Sequence, residues 1–384
     1  MRISTAILVS LAGVMLAGEA IALDIRFYPG ERAYAYQLDG QRGTNSVLIH
    51  NIAIINDSAE PLALDTVALE LMSAGRVVET RTLGAEELGP AAANGAGLQQ
   101  AGLLELLKFQ FGGEHLVPVG TLLSPDLTLD PGEAVIVASQ VFAYRGVRDA
   151  LRVRVNGDSA ARDLAISAEQ SKIAYSFPLN GVWFIGAGSS LHTGHRWTPM
   201  EEFAYDFLQL GPDQRTYSGQ GEQFADYYAY GEPVLAAAPG KVIIAINDVG
   251  EDPAAMKQPD ETNEIYFQRL QQEQFERIAG GGRAIGGSQV MLDHGNGEYS
   301  FYAHLQPGSV GVKEGDAVET GAQLGLLGSS GNSTEPHLHF QVCDGPDPLM
   351  CAGIPVQWAD IQMLLPDLPR SPQSGDLVKK AAAN

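Results

Sequence analysis

The sequence predicts an all-β chain in two units, with a partly helical insertion in the second. Three observations predict it. The chain has 384 residues, more than one hydrophobic core ordinarily serves. Most of it reads as short apolar or alternating runs punctuated by Gly, Pro, Asn and Asp. One polar stretch late in the chain has the composition of a helix. Apolar residues make up 45% and charged residues 18%, which suffices to bury a real core.

The first residues read as a leader. Arg2 gives a positive start, Ile7 to Ala17 is a short apolar run, and Ala20-Ile21-Ala22 is a small-x-small cleavage signal. Residues 1–22 are therefore expected to be a signal peptide and the mature chain exported, periplasmic or extracellular. The apolar run is too short to span a bilayer comfortably, and no later segment reaches the length of a membrane helix, so no stable membrane insertion is expected.

Residues 23–170 carry the first unit. Ser46 to Ile55 is β-rich and ends at Asn56-Asp57-Ser58; Thr66 to Leu71 alternates, and Arg76 to Thr80 continues after the turn Ser73-Ala74-Gly75. Further strands are expected at 134–141, after Asp130-Pro131-Gly132, and at 150–155, with one helix over about 101–111. Short strands with this punctuation predict an immunoglobulin-like β-sandwich. No catalytic constellation is visible there; His50, among apolar neighbours, and His115, in a loop, read as structural.

The second unit is expected over 177–365. The insertion 248–287 holds the helix-like piece Asn263 to Arg277 and ends in Gly280-Gly281-Gly282, as a lid or a surface excursion would. Residues 366–384 lack apolar periodicity and are expected to form a disordered tail. Cys343 and Cys351 are the two cysteines; in an oxidising compartment such a close pair closes a small disulfide loop, and their spacing is not that of a zinc site.

Formal charge is −22, from 24 basic and 46 acidic residues. That excludes nucleic acid and anionic lipid head groups as electrostatic partners, since both require clustered Lys and Arg.

Six of the eight histidines fall between His192 and His339. In Glu335-Pro336-His337-Leu338-His339-Phe340, a strand points both imidazoles to one face and Leu338 and Phe340 to the other. His304 lies in a second strand, Glu298 to Leu305, where alternation puts it on the face of Tyr302 and Ser300. In Glu202 to Phe207 the aromatics share one face and Asp206 takes the other; a carboxylate so flanked is costly unless paired or coordinated. A His-rich loop, Leu191 to Arg196, lies upstream. Three protein ligands and an open position are the usual inventory of a hydrolytic Zn2+ site, with neighbouring imidazoles to orient the water and stabilise the oxyanion of the intermediate. His195, Asp206 and His339 as ligands, with His304 and His337 beside them, use this set completely.

At these residues a resemblance emerges. Asp293-His294-Gly295-Asn296-Gly297, Tyr302-Ala303-His304-Leu305 and Gly331 to Phe340 resemble the M23 (lysostaphin and LytM-like) peptidases, as do Val312 to Gly325 and Gly231 to Ala237. The likeness covers roughly 178–358. It implies an antiparallel β fold around a groove, one zinc, and cleavage of peptide bonds in peptidoglycan, whose peptides become the expected partner. It also implies His339 and Asp206 as ligands and His304 and His337 as catalytic groups. One departure stands out: the family's first His and Asp ligands lie closer together than the eleven residues from His195 to Asp206, which reads as a loop insertion and leaves His192 and His195 both open as first ligand. Given the acidic chain, an anionic wall polymer would be held by local contacts rather than drawn by long-range attraction.

Three rival readings compete with this one. A non-catalytic relative would bind peptidoglycan or regulate another hydrolase through the same groove, but such relatives lose ligands, and all five positions are kept here. A biotinyl or lipoyl carrier lacks its hairpin Lys beside the Gly315-Asp316 turn. Gly328-Ser329-Ser330-Gly331 is not a G-x-S-x-G elbow, which sets serine hydrolysis aside. The N-terminal unit is expected to position the peptidase, bind a protein partner or cover the groove.

Overall fold

Strand β3 (Thr44–Asn56) organises the first half, because its Val and Ile residues bury both faces of the strand. The computed structural model describes residues 23–30, 32–157, 159–258, 261–365 and 370–382, so the expected leader lies outside the described residues. Around β3 lie β1 (Leu23–Tyr28), β2 (Arg32–Asp39), β4 (Val67–Ser73), β5 (Arg76–Leu83), β6 (Glu133–Arg145), β7 (Ala150–Val155) and β8 (Ala160–Ser167). The strand order is β5-β4-β7-β8-β2-β3-β6, continued by the two-residue strand Leu122–Leu123, while β1 pairs with β3. Val47, Ile49, Ile52 and Ile54 of β3 pack there against Leu69, Leu71, Leu151 and Val153.

Helix α1 (Ala85–Gln100) was not expected, and the helix anticipated over 101–111 is instead two four-residue turns of helix, 103–106 and 108–111. Pro90 and three glycines lower the helix propensity of α1, yet Leu88, Ala92 and Ala96 recur every four residues and are buried. Tertiary packing of that stripe outweighs local preference.

The second half centres on another nine-stranded sheet: β9 (Val182–Ala187), β10 (Tyr205–Leu208), β11 (Gly240–Ile246), β12 (Ser288–Asp293), β13 (Tyr299–Leu305), β14 (Leu338–Cys343) and β15 (Leu377–Lys380), with two shorter strands at its edges. Its central order is β11-β12-β13-β14-β10-β9-β15, antiparallel throughout that run. The chain is thus built chiefly of strands, as the punctuated apolar runs required. Helix α2 (Asn263–Ala279) fills the insertion as expected, capped by Thr262. Cys343 and Cys351 are joined as a disulfide.

The tail departs from expectation. Residues 377–380 form β15, between β9 and the strand Ile361–Met363. Four residues show no periodicity, but Val378 is fully buried against Trp183 in the second core, a burial that contributes about 2 kcal/mol. No helix among the described residues is long and apolar enough to cross a membrane.

Candidate metal centre

Three elements converge on one buried space. Asp206 of β10 pairs across strands with His339 of β14, so both side chains leave the sheet on the same face. Tyr205, Phe207, Leu338 and Phe340 alternate with them and enter the core, as expected. His337 stands just before β14, with Nε2 3.6 Å from Asp206 Oδ1. The loop between β9 and β10 makes a helical turn at His195–Trp197 and delivers His195 Nε2 to 3.3 Å from Asp206 Oδ2. His192 is exposed in the same loop; His195 is the histidine brought to the carboxylate.

The partners fix the imidazole protons. Gln341 Nε2 donates to the carbonyl of Pro348 at 3.1 Å, so its Oε1 is the atom that accepts from His339 Nε2 at 3.0 Å. His339 therefore turns Nδ1 towards Asp206 Oδ1, 3.0 Å away. His304 Nδ1 donates to the Ser330 carbonyl and His337 Nδ1 to the Glu335 carbonyl, both at 2.8 Å. Each of these two rings is left with Nε2 free on the side of the site. The His304 ring lies 4.6 Å from that of His337 and 6.0 Å from that of His339, centroid to centroid.

Charge follows from this crowding. Burial pushes the Asp206 carboxyl up, but the imidazoles of His195, His337 and His339 overcome it and hold the group far below the carboxylate range. Burial pushes His339 down, yet its bond to the Asp206 carboxylate raises it to about 9. His304 has no such partner; burial and the neighbouring His337 and His339 depress it well below the ordinary histidine value.

Alternation misplaced His304. Tyr302 and Ser300 do share a face, where the Ser300 hydroxyl donates to Tyr302 Oη at 3.1 Å and the Tyr302 ring meets Phe340. His304 instead turns to the face of His339. A register shift between Ser288 and Val290 and a left-handed φ of 64° at His304 rotate it across the strand.

The carbonyl that tethers His304 belongs to a tight loop. Ser330 Oγ accepts from Ser288 N at 2.8 Å and donates to Leu305 O at 2.7 Å. Gly331 follows with φ 76°, and a Cβ there would strike the backbones of Gly287 and Ile285. Gly331→Ala is expected to destabilise the protein by about 3 kcal/mol in denaturant unfolding, and a loss below about 1 kcal/mol would contradict this account.

A further carboxylate escaped the sequence reading. Glu201, on the turn before β10, lies with His195 and His339 so that one ligand atom of each falls within 4.8 Å of the others. Asp206 lies against the same two histidines. Tetrahedral arms of about 2.0–2.1 Å separate ligand atoms by about 3.4 Å; Asp206 Oδ2 lies 3.3 Å from His195 Nε2 and its other oxygen, Oδ1, 3.0 Å from His339 Nδ1. Asp206 is also fixed by strand pairing, whereas Glu201 sits on a turn. The acidic pair Glu201-Glu202 beside the strand was the available signal for it.

Residues 277–350 match the model of Peptidase family M23. The M23 resemblance of the C-terminal half, read from its histidine motifs, is thereby upheld, and the matched stretch includes His304, His337 and His339. The DD-carboxypeptidase/endopeptidase Mpg of Neisseria meningitidis is 33% identical over 98 residues, 26% of this chain and 20% of that protein. The peptidoglycan DD-endopeptidase ShyA of Vibrio cholerae is 38% identical over 72 residues, 18% of this chain and 16% of that one. Lysostaphin of Staphylococcus simulans is 46% identical over 57 residues, 15% of this chain and 11% of that protein. The chain thus spans a fifth or less of the length of these curated relatives. The crystallised catalytic domain of lysostaphin aligns with 45% of this chain and 88% of its own, at 20% identity and a TM-score of 0.25.

Proposed function

We propose that the chain is an exported zinc metalloendopeptidase that hydrolyses peptide bonds in peptidoglycan cross-links. The observation that carries the reading is the meeting of Asp206 with the imidazoles of His195, His337 and His339 in one buried space, beside a second free imidazole nitrogen on His304. The donor set fits zinc: two imidazoles and a carboxylate at suitable separations, with an outer partner, Gln341, orienting one of them. His195, Asp206 and His339 would hold the ion. When bound, zinc would polarise the scissile carbonyl and acidify a water.

The remaining steps belong to the chain's own side chains. His304, kept neutral by burial and tethered at Nδ1, takes the proton of the attacking water at Nε2. His337, tethered likewise, presents Nε2 beside it, 3.6 Å from Asp206 and placed to hydrogen-bond the developing oxyanion. A relative named as a peptidoglycan DD-endopeptidase supports the substrate class.

The test uses purified cell-wall sacculi and the full chain, stripped with a chelator and then resupplied with zinc. Zinc should restore the appearance of new amino groups and the loss of cross-linked muropeptides. A zinc-loaded protein that binds sacculi yet releases no amino groups would make it a binding or regulatory relative instead.

Metal loading should also be proton-linked. His339 is raised from 6.5 to about 9 in the metal-free protein, so its stabilising pairing with Asp206 is complete below 6.5 and lost as pH rises through about 9. At about pH 7.5 zinc must displace that proton, and calorimetry in buffers of different ionisation enthalpy should find about one proton released per ion bound. Buffer-independent heats would show that His339 is not a ligand.

A further inference from the structure

His50 lies within β3, in a strand otherwise lined by Leu48, Ile49 and Ile52, and is 3% exposed. Its Nε2 bonds Glu202 Oε2 at 2.8 Å, 152 residues away in sequence. Glu202 Oε1 in turn accepts from Arg196 Nη1 at 2.6 Å, and Arg196 Nη2 donates to Ser46 Oγ at 3.2 Å. The Arg196 side chain is fully buried, its guanidinium 5.5 Å from the ring centres of both Tyr36 and Phe203. From the same half, Gln110 Nε2 donates to the carbonyl of Trp197 at 2.7 Å. The first half of the chain therefore grips one turn of the second half at Arg196 and Trp197, and Glu202 just after it.

That turn is the one that matters to the metal. Arg196 is the neighbour of His195, and Glu202 stands beside Glu201 and shortly before Asp206. A buried Arg–Glu–His set is a poor way to gain stability, since desolvating its charges offsets most of their attraction and an apolar trio would do as well. What it supplies is direction: each hydrogen bond admits one geometry, which apolar packing does not enforce. His195 is also the candidate ligand that no strand holds; Asp206 and His339 are fixed by sheet pairing, His195 only by this loop.

We propose that the N-terminal half is a built-in part of the metal centre, with His50, Ser46 and Gln110 acting as positioning residues that aim His195 at the ion. This rests on the reading of His195 as a zinc ligand. The N-terminal half is then a buttress to the site and not a detachable cover over it.

The test compares the full-length wild type with His50→Leu, His50→Gln, Ser46→Ala and Gln110→Ala. Zinc affinity is measured by chelator competition, ligand geometry by the visible absorption of the cobalt(II)-substituted protein, and folding by the thermal midpoint of the metal-free form. His50→Leu is expected to weaken zinc by about 10–100-fold and alter the cobalt bands, the range found when outer partners of metal ligands are removed. His50→Gln, whose amide can still donate to Glu202, should recover much of both. Should His50→Leu fail to fold, Ser46→Ala and Gln110→Ala decide, with smaller losses in the same direction. Folded variants with wild-type affinity and an unchanged cobalt spectrum would overturn the proposal while leaving the zinc site standing. A wild type that takes up no zinc would overturn both.

Discussion

Asp206→Ala is expected to empty the metal centre: elemental analysis of the purified protein, about one zinc per chain in the wild type, should fall close to zero. Asp206 lies 3.3, 3.6 and 3.0 Å from His195, His337 and His339. Without it, several imidazoles face one another in a buried space with no negative charge strand-fixed among them, and a divalent cation there meets the same missing charge. Asp206→Asn tests charge apart from shape. It keeps one oxygen in place but removes the anion, and should lose nearly as much zinc. His339→Ala should behave as Asp206→Ala does, because β10 and β14 present the two residues as a cross-strand pair. Full zinc occupancy in Asp206→Ala would transfer the carboxylate's role to Glu201, which also approaches His195 and His339. In that event Glu201→Gln, here expected to keep its metal, would be the variant that loses it.

Much of this site was legible in the sequence where the backbone is regular. The two-residue period of a strand placed His337 with His339 and set Asp206 opposite its aromatic neighbours, and both placements hold. Regularity fails at His304, where a register shift and a left-handed φ carry the side chain to the other face. No spacing rule foresees a positive φ at a non-glycine residue. The loop was legible only as a pair of alternatives. Choosing His195 over His192 requires the turn at 195–197, whose course is set by Arg196, Glu202 and residues of β3 far away in sequence. His50 is as structural as its apolar setting suggested, but the identity of its partner could not be read from the strand around it. Helix α1 and strand β15 were missed for a related reason. In each, a few buried side chains, Leu88, Ala92 and Ala96 or Val378, outweigh local composition that points elsewhere.

Substituting His304 and His337 separates chemistry from metal binding. Neither ring is needed to hold the ion in the proposed set, so His304→Ala and His337→Ala should both retain about one zinc per chain. Each should nevertheless lower kcat on cross-linked muropeptides by about 10²–10⁴-fold, the usual range for removal of a group that moves a proton in the transition state. The two rings are 4.6 Å apart and, in the proposed mechanism, act on one water and one carbonyl, so their losses should not multiply. The double variant is expected to fall close to the worse single one, because the second ring has little left to do once the first is gone. Gln in place of His304 serves as the control for packing: it fills much of the space and can still bond the Ser330 carbonyl, but it cannot accept a proton at neutral pH. If His304→Gln kept most of the activity, proton transfer would have to lie elsewhere, and His304 would be reduced to a spacer between β13 and the Ser330 loop. If instead His304→Gln is as inactive as His304→Ala while holding its zinc, the free Nε2 is what the left-handed turn of His304 exists to present.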